Sequence, residues 1–375
     1  MQYTHLGIFS DLVAEAKRQS HLFPSAAPGV ETQSKVREAL GFCNQPEFPF
    51  EVRIEGQWEK DGLFGEEVSW GVGYGPRTHA WFFKPVKAKG LLPAVLALHD
   101  HGGFKYYGKE KIAERPGSTN DILQDWYKHA YGGRAWVNAL AQRGFAVLVH
   151  DTFLWGSRKF PRETMEGSLW LDIPSAKPEN ENDNMSDEIN HYNFWALHHE
   201  HLVAKYLNLL GTNLAGVVAH EDRIALNYLL SRPEIQPESV ACMGLSGGGN
   251  RAALLRATAN QLKAAVIVGL MSTYEELLDH NVTTHTWMFF PSNWARYGDW
   301  PDLAACQAPS PLLVQYDIED DLFTLQGMQK AHKKLIEHYQ NVGNPDAYTG
   351  QFYPGPHKFD LEMQEAAFDW LEQWL

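Results

Sequence analysis

Ser246 lies in the run Gly244-Leu245-Ser246-Gly247-Gly248, a G-x-S-x-G pattern. An apolar segment, SVACM, runs straight into it, and a helix-forming segment, NRAALLRATA, leaves it. That strand–turn–helix context gives the pattern its chemical meaning, nucleophilic attack by a serine. A hydroxyl held on so tight a turn stands clear of the sheet. The residues two before and two after it approach so closely that side chains would clash, and both are glycine. The same turn puts the Gly247 N–H at a helix N-terminus, facing the oxygen that gains negative charge when a carbonyl is attacked. Phosphate binding, the other chemistry of a glycine-rich turn, wants a Lys-Ser/Thr pair or G-x-G-x-x-G spacing, and SGGGNR has neither.

A serine hydroxyl is a poor nucleophile at neutral pH and needs an imidazole base oriented by a carboxylate. After this kind of elbow the acid comes next in the chain and the histidine last. The acid is expected just past PLLVQY, where Asp317-Ile318-Glu319-Asp320-Asp321 crowds four carboxylates into one turn. Asp320 is the first choice and Asp321 the second; the remaining acids read as a solvated turn capping the next helix. The chain holds 17 histidines, so composition selects none. Position selects His357, the only histidine in GQFYPGPHKFD before the final helical segment. A second carbonyl-oxygen donor is expected from the loop Leu98-His99-Asp100-His101-Gly102-Gly103-Phe104, with the N–H of Gly103 preferred and those of Gly102 and Phe104 as neighbours in register. His99 and His101 have the spacing of two metal ligands, but no third ligand accompanies them, so no metal is expected. Phe104, His285, Trp287 and Trp155 are expected to line the substrate pocket. His280 is a further pocket candidate. Asp151 and Arg158 read as structural ties, and His332 and His338 as surface residues on a charged helix.

The elements that must carry these groups follow from periodicity. Five short apolar runs, at 93–100, 144–151, 239–244, 264–269 and 311–317, alternate with helical stretches. Strands buried on both faces read this way, so a doubly wound, mostly parallel α/β sheet is expected, with its site at the carboxyl ends of the strands. Residues 48–85 alternate polar and apolar between turn residues and predict antiparallel strands. Residues 1–47 predict an N-terminal helical extension, and 48–375 the catalytic domain. A long insertion at about 156–214 interrupts the alternation, polar and Pro/Asn-rich at first, then aromatic and His-rich, and is expected to be lid-like.

Bulk composition narrows the partners. The net charge of −14 disfavours nucleic acid. Three cysteines make no disulfide framework, which suits a reducing compartment. The first 20 residues do not read as a signal peptide, and no apolar run reaches the ~20 residues of a membrane span. The expectation is a cytoplasmic protein with no membrane partner.

Taken together, His101-Gly102-Gly103, the Gly244–Gly248 elbow, Asp320 and His357 resemble the α/β-hydrolase superfamily. Three longer stretches, LALHDHGGFKYYGKEKI, GVVAHEDRIALNYLLSRPEIQPESVACMGLSGGG and HTWMFFPSNWARYGDWPDLAACQAPSPLLVQYD, resemble its bacterial dienelactone hydrolase and acetyl xylan esterase-like branch. The most specific part is the lead-in Asp222, Tyr228-Leu229 and Arg232-Pro233-Glu234. In related strand ends an apolar run is followed by Gly-x-x-Asp, which sets Asp317 on the glycine position and Asp320 on the acid. The resemblance implies hydrolysis of a small carboxylic ester, often an acetylated sugar, without a cofactor. Serine in place of the cysteine of dienelactone hydrolases proper is a departure from that pattern. A prolyl-oligopeptidase-type peptidase and a non-catalytic binding protein on the same scaffold are the alternatives.

Overall fold

The computed structural model describes residues 3–42, 47–169, 185–278 and 281–375. Its centre is a nine-stranded sheet in the order β1-β2-β3-β5-β4-β6-β7-β8-β9. Strands β1 (Phe50–Lys60), β2 (Leu63–Gly71) and β3 (Thr78–Pro85) form an antiparallel edge, and β3 pairs antiparallel with β5 (Ala146–His150). From β5 onward every pair is parallel, through β4 (Leu92–Ala97), β6 (Ile235–Leu245), β7 (Ala264–Val268), β8 (Leu312–Asp317) and β9 (Tyr348–Tyr353). This is the doubly wound sheet that the apolar runs predict.

The two-residue period of a strand divides the core. On one face Leu96, Leu148 and Cys242 pack under the helices Val30–Leu40, Leu214–Ser231 and Gly247–Thr258. On the other, Val95, Val147 and Met243 pack under Asp121–Ala130, Trp136–Gln142 and Leu361–Trp374. With both faces covered, β5, β7 and β8 are buried along their whole length, and β4 and β6 over Ala94–Ala97 and Ser239–Leu245. Within the first 47 residues, the helix Val30–Leu40 buries Val36 and Leu40 in the main core.

The insertion contributes two helices, Arg162–Leu169 and Met185–Leu209, the second called the insertion helix below. The polar half of the segment expected to act as a lid, 170–184, lies outside the described residues, as do His280 and Cys43. Asp151 is fully buried and accepts from the Lys109 N–H at 2.8 Å, the Lys109 ammonium at 2.8 Å and the Ser157 N–H at 2.9 Å. Arg158 pairs with Glu221 at 2.5 Å. Both tie loops together. His338 departs from the surface expectation: it is buried and shares a 2.6 Å hydrogen bond with Asp302, an acid 36 positions away in the chain. Among the described residues no single helix is long and apolar enough to cross a membrane.

Candidate active site

Strand β6 delivers Ser246 and the helix Gly247–Thr258 carries the chain away. Ser246 has φ +57° and ψ −119°, a region that side-chain-bearing residues avoid. The Leu98 carbonyl oxygen at the end of β4 occupies the space that a Cβ on either Gly244 or Gly248 would need. The glycine requirement is therefore steric at both positions. The Ser246 N–H donates to the Val268 carbonyl at 2.9 Å and ties the turn to β7. Asp222, from the lead-in, is fully buried; it accepts from Arg251 of the elbow helix at 2.6 Å and shares a 2.9 Å hydrogen bond with His150. Arg251 also donates to the His99 carbonyl at 3.2 Å. The lead-in thus braces the elbow against the ends of β4 and β5.

His357 follows β9. Its Nδ1 shares a 2.6 Å hydrogen bond with Asp320 Oδ2, and Asp320 Oδ1 accepts the Leu322 N–H at 2.8 Å. The Asp320 carboxylate is buried, whereas Asp321 is exposed. Nε2 of His357 is buried and has no hydrogen-bond partner among the described residues. Burial opposes the imidazolium, but the hydrogen bond and charge of Asp320 outweigh it and hold His357 above its ordinary value. A second acid stands close by. One oxygen of Asp317, one of Asp320 and a ring nitrogen of His357 lie within 4.8 Å of one another. Asp317 Oδ2 accepts the Lys358 N–H at 3.1 Å, while Oδ1 is buried without a partner. Burial pushes the Asp317 carboxyl up to about 7.

On the other side of Ser246, the loop after β4 is rigidly supported. Lys111 is fully buried and donates to the Asp100 carbonyl at 2.5 Å, the Asp100 carboxylate at 3.1 Å and the His101 carbonyl at 3.2 Å. Tyr131 donates to the same carboxylate at 2.6 Å. The main-chain nitrogen of His101 lies against Gly247, 2.5 Å from where a Cβ on Gly247 would sit. Neither the Gly247 nor the His101 N–H has a partner among the described residues. The Gly103 N–H, preferred from sequence, instead donates to the His101 Nδ1 at 3.0 Å. The Gly103 N–H is therefore occupied within the loop, which turns back on itself through that bond.

Ser246, Gly247, His101 and His357 open into one cavity of about 210 Å³. Its apolar wall comes from Leu245, Leu270, Phe289, Leu322 and Trp126, with His129 and His285 beside them. A larger hollow of about 440 Å³ near Trp58 and Tyr127 contains none of the reactive groups. Of the four pocket residues expected from sequence, only His285 lines the cavity; its Nε2 contacts the Leu322 carbonyl at 3.0 Å, and burial pushes it down to about 4. Phe104 sits one layer back, edge-on to Trp126. Trp155 is buried behind His101, ring to ring at 5.2 Å. Trp287 is 40% exposed and turns its indole N–H to His201 at 2.9 Å. Trp126 and His129 escaped sequence reading because they belong to an ordinary amphipathic helix whose wall position depends on its docking.

The chain is 24% identical over 300 residues to the Bacillus subtilis (strain 168) protein named "Putative hydrolase YtaP", covering 80% of this chain and 84% of that one. Among solved structures, Methylesterase BT1017 superposes with a TM-score of 0.60 at 17% identity, covering 91% of this chain. The chain spans 62% of that protein's length. Acetyl Xylan Esterase 1 from Thermoanaerobacterium sp. JW/SL YS485 superposes with a TM-score of 0.54 at 14% identity, over 94% of this chain and 96% of that one. No protein-family model matches the chain. The fold is that of the α/β-hydrolases.

Proposed function

We propose that this protein is a serine hydrolase that cleaves a small carboxylic ester through an acyl-enzyme. The observation that carries the reading is one convergence. Ser246, on a positive-φ elbow, opens into the cavity also lined by His357, whose Nδ1 is bound to Asp320 and whose Nε2 is buried and unpartnered. In the proposed reaction Nε2 takes the Ser246 proton as the hydroxyl attacks the ester carbonyl. The developing oxyanion lies toward the free N–H groups of Gly247 and His101, with His101 replacing Gly103 in that role. His357 then protonates the leaving alcohol, and a water deprotonated by the same imidazole releases the acid. These residues supply every proton transfer, so the scheme needs no cofactor.

The cavity supports a short acyl group and an uncharged substrate. It is small, mainly aliphatic and aromatic, and none of its described lining residues is Lys or Arg. An acetyl ester of a sugar or another neutral small molecule fits that chemistry, and acetyl ester hydrolysis is in the name of one solved protein of the same fold. The two described cysteines, Cys242 and Cys306, are buried thiols pushed up to about 12 by burial, which suits a reducing compartment such as the cytoplasm.

The test is covalent labelling by a fluorophosphonate together with turnover of p-nitrophenyl acetate. Wild type should label once, at Ser246. Ser246→Ala should lose the label and at least roughly 10⁴-fold in kcat, as nucleophile removal does in serine hydrolases. A folded Ser246→Ala variant with wild-type turnover would end the proposal.

A further inference from the structure

The long segment that interrupts the α/β alternation does more than cover the strand ends. One face of the insertion helix, at Asn193, Ala196 and Glu200, has the three- and four-residue spacing of a single helical stripe. All three residues hold the loop that follows β4. Asn193 accepts the Lys105 and Tyr106 N–H groups, each at 2.9 Å. The Ala196 carbonyl accepts the Lys105 ammonium at 3.0 Å. Glu200, 3% exposed, uses both carboxylate oxygens. Oε2 accepts from Lys105 at 2.5 Å and from His101 Nε2 at 3.0 Å. Oε1 accepts the Thr286 hydroxyl at 2.6 Å and the Trp287 N–H at 3.0 Å.

This geometry fixes the His101 tautomer. Nδ1 accepts the Gly103 N–H, so the ring proton sits on Nε2 and points at the Glu200 carboxylate. The ring is held at both nitrogens and wedged edge-on against Trp155. Its own main-chain N–H is the one beside Gly247. The second Glu200 oxygen holds the segment 284–289, which supplies Thr284, His285, Thr286 and Phe289 to the cavity. A single carboxylate from the insertion therefore joins the His101 loop on one side of the cavity to the 284–289 wall on the other.

We propose that Glu200 is a positioning residue of the hydrolase: acting through the His101 ring, it aims the main-chain N–H of residue 101 at the ester carbonyl oxygen. The inference rests on the serine-hydrolase reading above. A donor misplaced by a fraction of an ångström loses much of its grip on the transition state, while ground-state binding barely changes. Glu200→Leu has no acceptor atom at all, so the His101 ring loses its partner whichever way the side chain turns.

The experiment measures kcat and KM for p-nitrophenyl acetate in Glu200→Leu. It also uses Glu200→Leu/Lys105→Met, which removes the buried cation the first change would strand. Both changes are repeated in a His101→Ala background, and thermal unfolding reports folding. The expected result is a kcat loss of roughly 10- to 100-fold, below the 10²–10³ of deleting a donor outright, with KM changed by less than about threefold. That loss should largely vanish in the His101→Ala background, because the route through the ring is already cut. Unchanged kcat in the folded double variant, or an equal loss with and without the His101 ring, overturns the proposal. Wild type that neither labels with fluorophosphonate nor turns over would instead refute the serine-hydrolase reading itself.

Discussion

The turn Gly244–Gly248 takes its shape from five consecutive residues and the carbonyls of Leu98 and Val268 lying against them. The wall facing it is assembled from residues 101–103, 126–130 and 284–289, and much of it is pinned by Glu200 from an insertion some 100 positions away from His101. The first region is determined by sterics and is local. The second is determined by buried polar bonds and is not. The contrast suggests a division of labour: the Ser246 turn is specified by a short string of residue types, whereas the placement of the His101 main chain and the 284–289 wall depends on how distant segments dock.

The largest effect should come from breaking the local region. Gly248→Ala drives a methyl group into the Leu98 backbone, which cannot move without shifting β4. Overpacking of this kind costs about 3 kcal/mol or more where the obstacle is main chain. The elbow variant should lose fluorophosphonate labelling and unfold at a clearly lower urea concentration. Gly103→Ala is the matched control. Its Cβ would meet nothing within 4 Å, although φ is +64°. It should cost only the backbone strain, about 1 kcal/mol. Equal urea midpoints for the two variants would contradict the steric account of the elbow.

A second comparison lies within one turn. Asp320 is bonded to His357, whereas Asp317, three residues earlier, touches the histidine loop only through the Lys358 N–H. Asp320→Asn should lower kcat by about 10⁴, as the imidazole loses its orienting carboxylate. Asp317→Asn keeps an oxygen for Lys358 and should retain most activity. Its signature is in stability. The Asp317 carboxyl titrates at about 7 when folded, against an ordinary 3.8. Below about pH 4 both folded and unfolded forms are protonated and the substitution gains nothing. Between 4 and 7 only the unfolded chain releases the proton, so wild-type stability falls as pH rises, and the cost is complete above 7. Asp317→Asn should therefore be more stable than wild type at pH 8 and equal to it at pH 4, by an amount whose ceiling is on the order of 4 kcal/mol. The acid limb of kcat/KM should also move to lower pH, since the nearby negative charge supports the His357 imidazolium. A stability gain that is the same at pH 4 and pH 8 would rule out this origin.

The same division explains what could be read from the sequence. The apolar runs at 93–100, 144–151, 239–244, 264–269 and 311–317 became β4 to β8 because a strand buried on both faces leaves no other composition. The elbow was visible because its glycines are required by main-chain crowding, from the turn itself and the Leu98 carbonyl, whatever side chains surround them. Asp320 and His357 were expected to pair from chain order, and the structure brings a ring nitrogen and a carboxylate oxygen to 2.6 Å. The second donor was expected at Gly103, whose N–H the structure shows bonded to the His101 ring. Loop register depends on one main-chain bond to a side chain, Gly103 to His101, and composition does not encode it. Phe104, Trp155 and Trp287 were expected in the pocket and do not line it. Whether a ring faces a cavity or the layer behind it is decided by packing partners such as Trp126, His101 and His201. Glu200 carried no signal at all, being one acid among 46 carboxylates.

The smallest effects separate the true wall from its surroundings. Trp126 lines the cavity beside Gly102 and Gly103. Trp287 shares a segment with lining residues, yet its indole points outward to His201 and only its main-chain N–H serves the site, through Glu200. Truncating an aromatic wall forfeits about 0.5–1.5 kcal/mol beyond lost area, so Trp126→Ala should lower kcat/KM for a short ester by roughly 3- to 10-fold. Trp287→Ala leaves the main-chain bond in place and should change kcat/KM by less than about twofold. The two rings are of one type and lie in segments that both meet the cavity, so the ratio of their effects isolates ring direction from residue identity. If Trp287→Ala proved the more damaging on p-nitrophenyl acetate, the cavity would have to extend over the insertion helix at His201, and the wall would be larger than Glu200 alone can fix.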